Sequence, residues 1–278
     1  MRTFLLTLFL LLNAAMATAG TLPDPAKLWL RSHAAVIMDQ HTGEVLYQKN
    51  AQEPLPIASI TKLMTAMVLI DARLDMEEVI SISAADKDKL RYSRSRLPVG
   101  SKLTRADLLK MALMASENRA AAALARTYPG GSAAFISAMN TKSRKLGLHD
   151  TVFKDSTGLI TENQSTARDL SLLLQAAWDY PLIRDFSGIG SSQVRLISSN
   201  REIKFNNTNR LLRNARWTIG MSKTGYIKES GRCLVMQTTI AGRDLFIVLL
   251  NAQGKLSSFG DSGRIRKWLE RYEPQPAV

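Results

Sequence analysis

Ser59-Ile60-Thr61-Lys62 sets a hydroxyl three residues ahead of an amine at the start of the apolar run "ASITKLMTA" (58–66). On a helix that spacing is about one turn, so both side chains share a face. A serine hydroxyl is a poor nucleophile until a nearby base takes its proton, and a neutral lysine is such a base. The plainer use of such a serine is as a helix cap. Two further patterns follow, Ser116-Glu117-Asn118 and Lys223-Thr224-Gly225. For this composition, S-x-x-K and S-x-N are each expected about once by chance, and Ser198-Ser199-Asn200 is indeed a second S-x-N. K-T-G is expected roughly 0.06 times, so it carries most of the weight.

Those residues need elements to hold them. Past the lead "GTLPDPAK", the stretch "HAAVIMDQHTGEVLYQKN" reads as two strands around a Gly-containing turn. "PLPIAS" breaks the pattern, and Ile60, Leu63, Met64, Met67 and Val68 then recur at helical spacing. Met64, Met67 and Leu69 widen that stripe, as in a helix largely enclosed by protein. From about 84 to 185 the text reads as mostly helical. Thr104, with Asp107 three residues on, caps "TRADLLKMALMA"; "NRAAAALARTY" runs from the interruption "SEN" to "PGG". "SAAFISAMNTKSRKLGL" and "STARDLSLLLQAAW" are two more helices, the second capped by Ser165 or Thr166. Strands return at "QVRLI", "WTIGMSKTG", "CLVMQTTI" and "DLFIVLLN", with "AGRD" as a hairpin turn, before a short amphipathic helix "DSGRIRKWLERY". Strands at both ends with helices between them predict an α+β fold. The first hairpin and the late strands would form one mainly antiparallel sheet flanked by helices. A helical lobe at about 84–190 would be inserted, leaving a cleft between the two parts.

The N-terminus stands apart. Arg2 is a basic head, Phe4 to Leu12 are apolar, and Ala17-Thr18-Ala19 is a small-x-small cleavage signal. This predicts a secretory signal at 1–19, with no stable membrane anchor after cleavage, since no further apolar run of spanning length follows. A lead (20–29), a single domain (30–272) and a tail (273–278) then make up the rest. The net charge is +13, and Arg2 is the signal's one charged residue. A strongly basic exported chain suits acidic partners such as cell-wall polymers and argues against nucleic acid. The densest basic patch, "KDKLRYSRSR" (87–96), reads as a solvated face; beside the cleft, Arg91, Arg94 and Arg96 would guide an anionic polymer. Cys233 is the sole cysteine, which excludes a disulfide within the chain and reads as a small buried hydrophobe. His33, His41 and His149 have no paired ligand spacing, so neither a metal nor a cofactor is implied.

The three motifs, in this order and in these contexts, form the set shared by class A β-lactamases and penicillin-binding proteins. Over roughly 30–270 the chain resembles a penicillin-binding serine peptidase of the D-alanyl-D-alanine carboxypeptidase and endopeptidase family. "PIASITKLMTA", "LLKMALMASENRAAAALA", "SKTGY", and "DSTGL" (155–159) followed by "STARDL" (165–170) carry the likeness beyond the motifs. It is nearest to the small soluble endopeptidase branch. The resemblance implies a β-lactamase/transpeptidase-like fold with Ser59, Lys62 and Ser116 as catalytic residues. Ser59 would be the nucleophile and Lys62 its base, kept neutral by burial and by the cation Lys223. Ser116 would relay a proton to the leaving amine. Asn118 would hold the substrate backbone, and Lys223 and Thr224 the terminal carboxylate. Gly225 would let the strand approach the substrate closely. The backbone N–H groups of Ser59 and Tyr226 would form the oxyanion hole. Glu117 reads as structural, and Ser198-Ser199-Asn200, beside the strand-like "REIK", is not the active S-x-N.

The implied activity is periplasmic cleavage of D-Ala-containing cross-links in peptidoglycan stem peptides through an acyl-enzyme on Ser59, with β-lactam antibiotics such as penicillin as inhibitors. Two features favour this endopeptidase over a carboxypeptidase trimming pentapeptides. The chain ends soon after Trp268, without the extra β-domain and amphipathic anchor of the larger carboxypeptidases, and the likeness around both serine motifs points the same way. A β-lactamase would carry a deacylating Glu in E-x-x-L-N, and "TENQST" around Glu162 does not match. A non-catalytic wall-binding relative would be expected to have altered Ser, Lys or K-T-G, and all are intact.

Overall fold

In the computed structural model, which describes residues 23–271, the two strand runs of the N-terminal region form a hairpin, β1 (Ser32–Asp39) and β2 (Val45–Lys49). The expected signal (1–19) and tail (273–278) lie outside the described residues. A two-residue strand β3 (Leu55–Pro56) leads through a 3-10 turn, Ala58–Ile60, into α1 (Thr61–Asp71). Next come β4 (Val79–Ser81) and β5 (Lys102–Thr104), paired as a small ribbon, and the helices α2 (Arg105–Met114), α3 (Asn118–Arg126) and α4 (Gly131–Lys145). A short strand β6 (Gln164–Ser165) pairs back onto β3, and α5 (Ala167–Trp178) and α6 (Pro181–Ser187) follow. The C-terminal part holds β7 (Ser191–Leu196), β8 (Arg201–Asn206), β9 (Thr218–Ile227), β10 (Gly231–Ile240), β11 (Arg243–Ala252) and α7 (Ser257–Glu270).

The central sheet is antiparallel with strand order β2-β1-β11-β10-β9, so the first hairpin does join the late strands, and β9 forms one edge. Both faces of its middle strands are covered. Ala34, Val36 and Met38 of β1 and Phe246, Val248 and Leu250 of β11 pack with the apolar residues of α1 and α5. Their neighbours Ala35, Ile37, Leu245, Ile247 and Leu249 pack with Ile265, Trp268 and Leu269 of α7. A strand buried on both faces needs apolar residues at every position, which is why "DLFIVLLN" shows no alternation. The β10–β11 turn uses Ala241 and Gly242, both at positive φ, a geometry whose twist matches that of the strands it joins. Helix α1 is buried from Thr61 to Leu69, the enclosed helix that its wide stripe predicts.

Two parts of the expected layout differ. The stretch 84–101 is largely irregular, with one 3-10 turn at Ala84–Asp86, and the run of helices begins at Arg105. This segment lacks an apolar period, and the Asp88 carboxylate instead accepts from the backbone N–H groups of Leu90, Arg91 and Ser93. Such local bonds compete with helix formation. The run "QVRLI" is strand as expected, but β7 pairs with β8 in a separate ribbon and not with the central sheet. Helix α6, started by Pro181, falls within the stretch read as helical and lies against β9.

Candidate active site

Ser59 occupies the 3-10 turn that enters α1, and no side chain caps that helix, so Ser59 is not acting as a cap. The turn is held under strain. Ala58 sits at φ +45°, in the left-handed region that non-glycine residues seldom adopt. Gly158 (φ +81°) presses on it so closely that a Cβ there would stand 1.9 Å from the Ala58 carbonyl oxygen. From the other side comes Gly225 of β9, where a Cβ would meet Ile57 O at 2.9 Å and Ser59 N at 3.0 Å. The protein's own turn thus already makes a close approach that requires glycine at 225.

Lys62 is fully buried one turn along from Ser59. Its Nζ lies 2.9 Å from Ser59 Oγ and donates to Asn118 Oδ1 at 2.8 Å and to the Thr157 carbonyl at 2.6 Å. A neutral amine has two N–H groups and one lone pair. With two acceptors taking the N–H groups, the lone pair is left for the Ser59 hydroxyl. Burial lowers the Lys62 pKa to about 8, against the charges of Asp155 and Glu117, which favour its protonated form. The repulsion between the two lysines falls on Lys223 instead, whose pKa lies well below the usual lysine range through burial first and Lys62 second.

Ser116, between α2 and α3, is a second residue in the left-handed region, at φ +60°. Its hydroxyl accepts from Lys223 Nζ at 2.8 Å, and the same amine donates to the Thr224 carbonyl at 3.0 Å. Lys223 is buried, and its amine supports the Ser116 hydroxyl. What reaches the opening is the Thr224 hydroxyl, which donates to Thr208 Oγ1 at 2.7 Å. Both ends of the Asn118 amide have partners within the protein. Its oxygen holds Lys62, and its Nδ2 donates to Ser93 Oγ at 2.9 Å.

Thr157, Asp155, Ser93 and Thr208 were not singled out from the sequence. "DSTGL" stood out as a likeness, but nothing in the spacing showed that a backbone carbonyl was its contribution. Asp155 builds that loop. Its carboxylate accepts from the N–H groups of Thr157 (3.2 Å), Gly158 (2.7 Å) and Leu159 (3.3 Å) and from Asn163 Nδ2 (2.8 Å). Thr65 Oγ1 of α1 donates to Ser156 O at 2.8 Å and fixes the loop to the helix.

The edge strand supplies one more feature. Ser222 N–H turns outward to Ser187 Oγ of α6 (3.3 Å), whereas Ile227 N–H turns inward to Ser230 Oγ (3.1 Å). Backbone donors alternate along a strand, so Thr224 and Tyr226 direct theirs outward, toward the cleft. That cleft encloses about 670 Å³ and is lined by Ser59, Ser116, Asn118, Thr208, Thr224 and Tyr226 among others; among the described residues no carboxylate lines it. Arg91 also borders it, but its guanidinium is tied to the Leu159 carbonyl, Thr161 and Glu229. Arg96 is likewise committed, to the Lys204 carbonyl. Part of the basic patch is thus a brace. Ser198-Ser199-Asn200 forms the turn between β7 and β8 and does not line the cleft. Cys233 is buried and its thiol pKa is pushed up to about 11, which fits a packing role. Among the described residues no group of three or more His, Cys, Asp or Glu could hold a metal ion.

Residues 21–254 match the family model described as D-alanyl-D-alanine carboxypeptidase. A D-alanyl-D-alanine endopeptidase of Pseudomonas aeruginosa is 46% identical over 270 residues, which cover 96% of this chain and 87% of the relative. One from Escherichia coli K12 is 41% identical over 268 residues, 96% of this chain and 85% of the relative. Among solved structures, the Streptomyces K15 DD-transpeptidase superposes with a TM-score of 0.81 at 28% identity, covering 90% of this chain and 99% of its own. A buried lysine poised on the serine that follows a strained Ala58 and this breadth of likeness agree: the chain belongs to the D-alanyl-D-alanine carboxypeptidase family of serine peptidases.

Proposed function

We propose that this chain is a periplasmic D,D-endopeptidase that hydrolyses D-Ala-containing cross-links between peptidoglycan stem peptides through an acyl-enzyme on Ser59. The observation that carries the chemistry is the contact of Lys62 Nζ with Ser59 Oγ at 2.9 Å, with both Lys62 N–H groups already used elsewhere. Ser59 Oγ attacks the D-Ala carbonyl carbon and gives its proton to Lys62 Nζ. The carbonyl oxygen takes up negative charge against the N–H groups of Ser59 and Tyr226. The C–N bond then breaks as Ser116 gives its hydroxyl proton to the leaving nitrogen and takes in its place the proton that Lys62 had received, which leaves Lys62 neutral again. Lys223 holds Ser116 in position, while Thr224 and Thr208 face the leaving group's polar end. Water attacks the ester carbonyl and gives one proton to Lys62, which passes it to Ser59 Oγ as the acyl C–O bond breaks, so that both residues return to their starting states.

Cross-link cleavage is preferred over trimming because the relatives at 46% and 41% identity both bear the name endopeptidase. The absence of a carboxylate among the described residues lining the cleft argues against β-lactamase turnover, which in class A enzymes uses a glutamate and water. Penicillin would then remain on Ser59 as an inhibitor.

The test is a digest of purified muropeptides containing cross-linked dimers and free pentapeptides, read by mass spectrometry, with Ser59→Ala as control. Conversion of dimers to monomers, with pentapeptides intact, is expected. Loss of terminal D-Ala from pentapeptides while dimers persist would make the chain a carboxypeptidase, and turnover by Ser59→Ala would overturn the acyl-enzyme.

A further inference from the structure

Ser116 and Thr224 place the leaving group at one end of the cleft, and β9 runs away from them. A strand advances about 3.4 Å per residue. A substrate laid along this edge therefore passes its acylated residue by Tyr226 and its preceding residues over Ile227 and Lys228. Beyond Tyr226 the cleft is walled by Lys228, Arg232 and Lys255, with Phe259 at its side. Arg232 faces Tyr226 in the β9–β10 register and stacks on its ring, 3.8 Å from the centroid. Stacking fixes the guanidinium plane and leaves its N–H edge for an acceptor.

Among the described residues these cations have no carboxylate in ion-pair contact, although Lys228 acts at longer range on Glu229. Among the described residues none of Lys228, Arg232 and Lys255 forms an ion pair, and no carboxylate lines the cleft. Glu229, next in sequence to Lys228, is held by Arg91 at 2.9 Å. Three positive charges around one arm of a cleft repel one another, and an anion bound among them relieves that repulsion.

We propose that this arm is a subsite for a carboxylate carried by one of the two substrate residues preceding the acylated D-alanine; the assignment rests on the peptidase reading above. It selects acidic stem peptides over neutral ones through Arg232, assisted by Lys228 and Lys255.

The test uses the full mature chain and two pairs of N-acetylated peptides ending in D-Ala-D-Ala. Members of a pair differ only by Glu or Gln, placed one residue or two residues before that end. Each peptide competes against acylation of the protein by a fluorescent penicillin. In at least one pair the Glu peptide is expected to protect at about tenfold lower concentration, the scale of one charge-assisted hydrogen bond. In the doubly substituted Arg232→Gln, Lys255→Gln variant, with folding checked by thermal melting, that ratio is expected to fall toward one. Equal protection within both pairs, protection by neither member, or a ratio that survives in the variant would overturn the subsite. Failure of the peptidase reading registers separately, as acylation by penicillin without cleavage of cross-linked muropeptide dimers by the same preparation.

Discussion

Ser59 and Lys62 illustrate how one residue's environment becomes its chemistry. Burial, opposed in part by the charges of Asp155 and Glu117, lowers Lys62 to about 8, and its neutral, proton-accepting form grows as pH rises through that value. The rate of acylation by subsaturating penicillin is expected to rise up to about tenfold per pH unit below that point and to level above it, in a stopped-flow series from pH 6 to 10. A flat profile would mean that Lys62 is not the base. The strain at Ala58 makes a second point at this scale. Gly158→Ala would drive a Cβ into the Ala58 carbonyl and force a side chain into a left-handed backbone. A loss of about 2 kcal/mol or more is expected in urea unfolding, with acylation by penicillin reduced even where the variant folds. The motif serine and lysine were visible in the sequence because the reaction fixes their types and spacing. Gly158 was not visible as part of the site, because its contribution is the absence of a side chain at a contact between segments 100 residues apart.

At the scale of elements, the loop 155–159 does for Lys62 what β9 does for the substrate: it presents backbone groups in a fixed direction. Asp155 organises the loop and also favours the charged form of Lys62. Asp155→Asn keeps the size but removes the charge, so the folded-state pKa of Lys62 falls further. The rising limb of the acylation profile is expected to move to lower pH, while loosening of the loop lowers the plateau. A profile that keeps its midpoint would confine Asp155 to a structural role. The helices with clear apolar periods, α1, α2 and α5, were legible in the sequence, as were the strands of the central sheet, because their pattern is set by which face is buried. The stretch 84–101 was misread since its order comes from side chains bonding to nearby backbone, which leaves no period behind. The separate β7–β8 ribbon was missed for a related reason: alternation reveals a strand without naming its partner.

At the scale of the whole molecule, the single cysteine can form no disulfide within the chain, and two apolar clusters fill the two faces of the sheet. Cys233 is buried with its thiol pushed up to about 11, so it is a reporter of unfolding and not a reactive group. Its labelling by a maleimide at pH 7, followed by intact mass, is expected to proceed only at the rate of global unfolding, and reductant should leave the melting temperature unchanged; fast labelling of the native protein would contradict the packing described. The sheet's open edge has a consequence for solubility. An exposed strand edge is a template on which another chain can build, and proteins blunt such edges or cover them. Here α6 engages β9 at Ser222, and the turn after Ile227 ends the strand, so outward donors face the cleft at Thr224 and Tyr226. A stretch that brief is a poor seed for strand-by-strand growth between copies, yet it suffices to hold one extended peptide. The same trimming that makes the β9 edge a poor seed leaves a stretch of about the length of the proposed substrate.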